Sequence, residues 1–324
     1  MASVTSKKMR VKRGVVVSKK EMFFNFLLSL GPFIGFCIFS LIPFVLSFYM
    51  SFTEMHTSDI ATAQWVGLSN YSDIFTINLQ SIGYTFLTTI IYSIGCPIGI
   101  LLSIWIARLV VGIKNKRLQR VLRSIFFIPY VCSVSVIVLS FRFVFDESSG
   151  ILNMLLSSLG FDNVRWMTSS PLLFLLSSII IEIWSGLGYK TVLIMAAMSN
   201  IDESIYEAAR VDGSSESKIF WGITIPAITP TLGFLLTTGI IGCFQVMSAL
   251  YVFCRGAIGC PAWGNNVIGC WYSVVYLIYS WMFESSHLNG FGKAAALSWV
   301  LGIIIFIITR INLRLQRKWV CYDF

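Results

Sequence analysis

The residues whose types and spacing come nearest to doing chemistry lie between 199 and 226. Glu207, Ala208 and Ala209 stand in a row, Gly213 follows, and Ile223 and Pro226 come after a polar stretch. Asp202 can cap a short helix whose apolar face is Ile205, Ala208 and Ala209 at helical spacing. Gly213 can end that helix in the left-handed conformation that a side chain resists. Ser214 can cap a second helix, with Glu216 in its favourable first turn and Ile219, Phe220 and Ile223 along its face. Pro226 and Pro230 then mark the turn back into an apolar run. The Ala-Ala step lets another surface approach closely, and Glu207 and Arg210 can fix its register by charge. Two short amphipathic helices of this kind suit a docking knob better than a catalytic site.

Other reactive types are sparse. The only histidines are His56 and His287, and the eight cysteines form no set with zinc spacing, so no metal or covalent chemistry is indicated. Cys254, Cys260 and Cys270 share one loop; three thiols leave at least one unpaired, and free thiols are the expectation. The sequence has no G-x-x-x-x-G-K-S/T phosphate loop, since the nearest string, Gly290 to Lys293, lacks the spacing and the hydroxyl. This chain is therefore not expected to hydrolyse ATP itself. Inside the apolar runs, Gln245 is an amide that wants a partner. Arg142 and Glu182 are the ionisable residues placed there. The two could pair or contact solute; Arg142 is expected instead to snorkel to the outer interface, while Glu182 stays open between those roles and packing against a neighbouring helix.

The elements that hold these residues follow from composition. Of 324 residues, 56% are hydrophobic and 12% charged, about half the charge of a soluble domain, so lipid is the natural solvent for the surface. The net charge of +9 is distributed beside apolar runs, which argues against nucleic acid as a partner. The fold class expected is all-α: a polytopic membrane protein with six transmembrane helices and an outer-face interfacial helix. The spans predicted are 22–52, 82–111, 124–145, 172–198, 229–253 and 289–309. With the N-terminus inside, the inner segments hold twenty basic residues and the outer ones three, Arg165, Arg255 and Lys293. That bias places both termini in the cytoplasm. The segment 267–283 is rich in Trp and Tyr, and a seventh crossing would put the basic C-terminal tail outside, so it is expected to lie at the outer interface. The domains expected are a basic tail 1–20, a transmembrane domain 21–310 and a C-terminal tail 311–324. Within the transmembrane domain lie a cytoplasmic loop 199–226 and an outer loop 254–288.

The string Glu207-Ala208-Ala209, three residues, Gly213, nine residues, Ile223, one residue, Ile225-Pro226 resembles the EAA motif of ABC-importer permeases; the family has Leu where this chain has Ile225. YEAARVDG (206–213) followed by ITIP (223–226) resembles the carbohydrate-uptake branch, the MalF/UgpA-like inner-membrane subunits. So do the first apolar run (30–55), WVGLSNYSDIF (65–75), FFIPYVCSVSVIVLSFRFVF (126–145) and IIGCFQVMSALYV (240–252). The branch commonly has a Gly-Gly-Pro turn after the fifth span, where this chain has CRGAIGCPAWGNN (254–266).

The resemblance implies a permease subunit for sugars or oligosaccharides, located in a bacterial or archaeal inner membrane. It implies as partners a second permease subunit, two cytoplasmic ATPase subunits that bind ATP and magnesium, and an extracytoplasmic solute-binding protein. By resemblance, Glu207, Ala208, Ala209, Asp212, Gly213, Ile223 and Pro226 form the coupling site for the ATPase. A solute path would draw on Gln245 with Phe244 and Tyr251, and on Trp184, which can stack on a sugar face; packing or lipid contact is the competing reading for Trp184 and Phe244. Other readings are an ABC permease for a polyol or glycerol phosphate, an ion-coupled secondary transporter, and a membrane-embedded enzyme. The secondary transporter would leave the EAA loop without a role, and the enzyme would need clustered polar residues that two distant histidines do not supply.

Overall fold

The computed structural model describes residues 19–55, 59–254, 260–264, 268–284 and 290–321. The basic tail falls outside them save for Lys19 and Lys20, as do His56, His287 and Arg255. The chain divides into two compact units, Met1–Tyr49 and Met50–Phe324. The first holds one apolar helical run: α1 (Lys19–Phe36), a π-helical turn (Cys37–Leu41) and α2 (Ile42–Met50). The π turn ends two residues before Pro43. A proline has no N–H to donate and its ring crowds the carbonyl four residues back, and the wider turn gives it room.

The second unit opens with a small hairpin, β1 (Thr53–Glu54) against β2 (Gln64–Trp65). Then come α3 (Ser69–Phe75), α4 (Leu79–Ser93) and α5 (Gly95–Val111), the last two making one 33-residue apolar run. α6 (Lys116–Val131), α7 (Val134–Val144), α8 (Ile151–Ser158) and α9 (Pro171–Ser199) follow. After α9 come α10 (Glu203–Val211), α11 (Glu216–Ile219), a second π turn (Phe220–Thr224) and α12 (Ile225–Phe244). The chain closes with α13 (Ser248–Cys254), the pair β3 (Ala262–Trp263) and β4 (Ile268–Gly269), α14 (Val274–Phe283) and α15 (Gly290–Gln316). The protein is all-α and polytopic. Among the described residues five helices are long and apolar enough to cross a membrane, and a sixth crossing is available if α6 and α7 count as one.

Four predicted features need correction. The run 124–145 is not a straight span: α6 and α7 meet at 97°. Pro129 removes a helical hydrogen bond, and the backbone turns extended at Cys132 just beyond it. The fifth span covers Glu216–Phe244, not 229–253, because the π turn absorbs Pro226 and the helix never breaks there. α15 continues to Gln316, past the predicted start of the tail, since Arg310 and Arg314 extend the helix as readily as they would a coil. Cys254 and Cys260 form a disulfide with Cα atoms 6.1 Å apart, while Cys270 is free, and burial pushes its thiol up to about 12. The outer helix α14, at ten residues, is too short to cross.

Two apolar clusters hold the second unit. Ile100, Ile104, Val138, Phe174, Leu175, Ile194, Ile228, Leu250 and Phe253 join α5, α7, α9, α12 and α13. Ile74, Ile82, Phe244, Val274, Leu277, Leu297 and Leu301 join α3, α4, α12, α14 and α15. Polar ties supplement them. Gln316 Nε2 donates to Gly233 O at 3.0 Å and to Thr237 Oγ1 at 2.8 Å, and Asn312 Nδ2 donates to Thr237 at 3.0 Å, fixing α15 to α12. At the other end Lys293 and Asp73 pair at 2.8 Å, tying the start of α15 to α3.

Candidate functional site

The loop between α9 and α12 is built from caps. Asp202 Oδ1 accepts from Ser204 N at 2.9 Å and opens α10, and that hydrogen bond holds its carboxyl below the usual range. The helix closes on Gly213 at φ +74°, with Gly213 N donating to Arg210 O and Ser214 N to Ala209 O, each at 3.0 Å. This is a Schellman closure, and it uses a backbone conformation that glycine enters without strain. The cap of the second helix is Ser215, whose hydroxyl accepts from Lys218 N at 3.4 Å, rather than the predicted Ser214. Ser214 N closes the first helix, and the second helix starts at Glu216, which puts Ser215 at the cap position.

The predicted apolar face of α10 is largely left open. Ile205 and Ala208 are exposed, Ala209 is half-buried, Val211 is 87% exposed, and Glu207, Asp212 and Gly213 are exposed as well. Arg210 does not look outward for its partner but binds Glu216 at 3.1 Å, bridging the two helices across the Gly213 turn. Both groups are more than half exposed, so the bridge orients the turn more than it stabilises it. Tyr206 and Thr224 join their hydroxyls at 3.1 Å and fasten α10 to the π turn. Ile219 and Phe220 are buried, while Ile223 is half-buried and Pro226 sits inside the continuing helix. The loop is therefore an exposed small-residue helix on a support continuous with a spanning helix.

The other predicted residues do not gather in one place. Phe244 is packed in the second apolar cluster. Gln245 lies beyond the end of α12, in the break before α13, and is exposed. Tyr251, on α13, stacks on Tyr276 at 4.9 Å beside Trp271. Trp184 meets Phe141 edge-on at 5.2 Å, on the α7 side of α9. Arg142 lies in the last turn of α7, beside Asp146 at a small cavity.

Sequence reasoning missed one site. Lys190, counted with the basic loops, is buried within α9 and bonds Glu182 Oε1 at 3.0 Å. Glycines make the space: a Cβ at Gly99 would lie 2.8 Å from Lys190 Nζ, one at Gly95 2.8 Å from Glu182 Oε2, and one at Gly186 3.1 Å from Nζ. Glu182 Oε2 is buried with no hydrogen-bond partner among the described residues. The signal was present as an acid and a base eight positions apart on one apolar run, with small residues Gly95 and Gly99 one turn apart on a neighbouring run.

Comparison with known proteins gives a consistent result. The family model described as binding-protein-dependent transport system inner membrane component matches residues 99–318. The probable ABC transporter permease protein YesP of Bacillus subtilis is 30% identical over 302 residues, covering 91% of each chain. The arabinooligosaccharides transport system permease protein AraP of the same species is 29% identical over 295 residues, 88% of this chain and 86% of its own. Among solved structures, a chain of a bacterial ABC transporter involved in the import of the acidic polysaccharide alginate aligns with a TM-score of 0.75 at 20% identity, covering 92% of this chain and 96% of its own. The same figures hold for that transporter in complex with an alginate pentasaccharide-bound periplasmic protein.

Proposed function

The chain belongs to the family of binding-protein-dependent transport system inner membrane components, and from that premise we propose that it is a permease subunit of an ATP-driven importer for oligosaccharides. The observation that supports the reading most is α10, a capped helix whose small-residue face is left uncovered by its own chain. On this reading Glu207, Ala208, Ala209, Asp212 and Gly213 enter a groove of a cytoplasmic ATPase subunit. Ile223 and Pro226 lie in the stem that carries the push into α12. Because α11, the π turn and α12 are one continuous helix, a displacement of the loop moves a span as a rigid lever. Closure of an ATPase pair on ATP would then rock the bundle from inward-open to outward-open. Solute would be delivered by an extracytoplasmic binding protein, through a path shared with a second permease subunit.

The oligosaccharide assignment draws on the relatives' names and on half-buried aromatic side chains at the outer end, Trp271 and Tyr272, able to stack on sugar rings. The basic end of the bundle, from Arg108 to Arg123 and from Arg310 to Lys318, faces the cytoplasm on this reading. Purification of the chain in mild detergent with its bound subunits tests the proposal. Stoichiometric ATPase chains, and oligosaccharide uptake into proteoliposomes that requires ATP and the binding protein, are expected. Uptake that persists without ATP and collapses with a proton gradient would contradict it.

A further inference from the structure

A cavity of about 400 Å³ lies between the ends of α5 and α9, the coupling helix α10 and the start of the α11–α12 helix. That volume falls in the range of small-ligand sites, about 300–1,000 Å³. Its charges are only partly neutralised. Arg210 and Glu216, both on its wall, cancel each other at 3.1 Å. Arg108 is half-buried, with its guanidinium carbon 4.2 Å from the Phe220 ring centre and 5.7 Å from that of Trp105. The rings take the flat face of the guanidinium and leave its N–H edge open. No carboxylate among the described residues pairs with Arg108. Glu203, exposed at the same cavity, likewise has no cationic partner among the described residues.

Hydroxyls and apolar walls complete the lining. Tyr206 and Thr224 share a single hydrogen bond, so one of their two O–H protons remains to be donated into the cavity. Val111, Met198 and Ile219 supply apolar surface. A cation with an open donor edge, a spare hydroxyl proton, an anion and an apolar wall around one cavity are together the complement of a phosphate and an ammonium carried on one small group. A phosphate with no ammonium attached would meet Glu203 with the wrong sign, and a bare ammonium would leave Arg108 without an anion.

We infer that this cavity binds a phosphoethanolamine group, its phosphate on Arg108 and the Tyr206–Thr224 hydroxyls and its ammonium on Glu203. The source is a phospholipid headgroup or a free phosphoethanolamine. The inference stands apart from the docking of an ATPase, since it uses only groups of this chain, and Glu203 and Tyr206 of α10 are not among the residues assigned to the coupling site.

The test reconstitutes the full chain with its co-purified subunits in vesicles of phosphatidylcholine, phosphatidylglycerol and phosphatidylethanolamine in equal parts. Native mass spectrometry then counts the lipid retained. Wild type retains phosphatidylethanolamine in preference to the other two, and free phosphoethanolamine displaces it. Arg108→Gln lowers that occupancy roughly tenfold, Arg108→Lys keeps most of it, and Glu203→Gln moves the preference toward phosphatidylglycerol. If no lipid is retained but free phosphoethanolamine binds in an Arg108-dependent way, the site is confirmed with a soluble source. Retention indifferent to both substitutions, wild-type preference for phosphatidylglycerol, or absence of both lipid retention and phosphoethanolamine binding overturns the inference. The Arg108→Lys variant guards against a folding artefact, because it keeps the charge and loses only the planar fork.

Discussion

Lys190 carries its charge nine positions before the end of a 29-residue apolar helix, and Glu182 makes that tolerable. Removing one member of a buried pair strands the other, a loss on the order of 3–5 kcal/mol. Glu182→Gln should therefore lower the thermal midpoint of the detergent-solubilised protein sharply, and adding Lys190→Met should recover most of the loss. Equal midpoints for wild type and Glu182→Gln would show that the pair contributes nothing. Asp146 offers a milder case at the turn after α7. Its Oδ1 accepts from Ser148 N, Ser149 N and both hydroxyls at 2.8–3.0 Å, and these bonds, with Ser149 N–H foremost, hold its carboxyl at about 2. A free Asp titrates at about 3.9. The folded value is depressed, so the stabilisation is complete above about pH 4 and is lost as pH falls through about 2. Hydrogen exchange at Ser148 and Ser149, compared with an Asp146→Asn variant, should show protection that exceeds the variant's near neutrality and converges with it at acid pH. The turn and the first cap of the 199–226 loop were legible because capping and turn chemistry are local. The Glu182–Lys190 pair was not, because its existence depends on room left by Gly95 and Gly99 of another helix.

At the level of elements, the α10–Gly213–α11 hairpin is the part that local rules specify most fully. Only the position of the second cap, Ser215 for Ser214, differed, since two adjacent serines offer the same cap chemistry. Gly213→Val places a β-branched side chain at φ +74° and should cost about 1–2 kcal/mol in the turn. The space around Gly213 is open, so the effect is conformational and the bundle should still insert. On the proposed function the variant assembles and hydrolyses ATP, but uptake falls at least tenfold; normal uptake per ATP would remove α10 from the coupling route. The helix breaks were harder to read. Pro226 signals a turn by itself, yet the preceding π turn keeps the helix unbroken, whereas α6 and α7 part at 97° two residues after Pro129. The difference lies in backbone geometry upstream of each proline, which residue type alone does not specify. Likewise Gln245 read as a polar residue inside a span, and the structure sets it in the break after one.

For the molecule as a whole, apolar run length and the clustering of basic residues were enough to read an all-α membrane protein, because lipid admits few alternatives. How the helices meet was not legible, since Phe244, Tyr251 and Trp184 are all plausible beside a solute and only packing separates them. α11, the π turn and α12 form one continuous helix, and the proposed function depends on an ATPase using it as a lever. Cysteine crosslinking tests this most directly. Val211→Cys, on the exposed face of α10, is placed in the otherwise native complex together with single cysteines along the surface of the co-purified ATPase. The account predicts a crosslink to the ATPase whose yield changes when ATP is bound, and labelling of the introduced thiol only from the cytoplasmic side. Labelling from the exterior, or no crosslink to the ATPase in any nucleotide state, would contradict it.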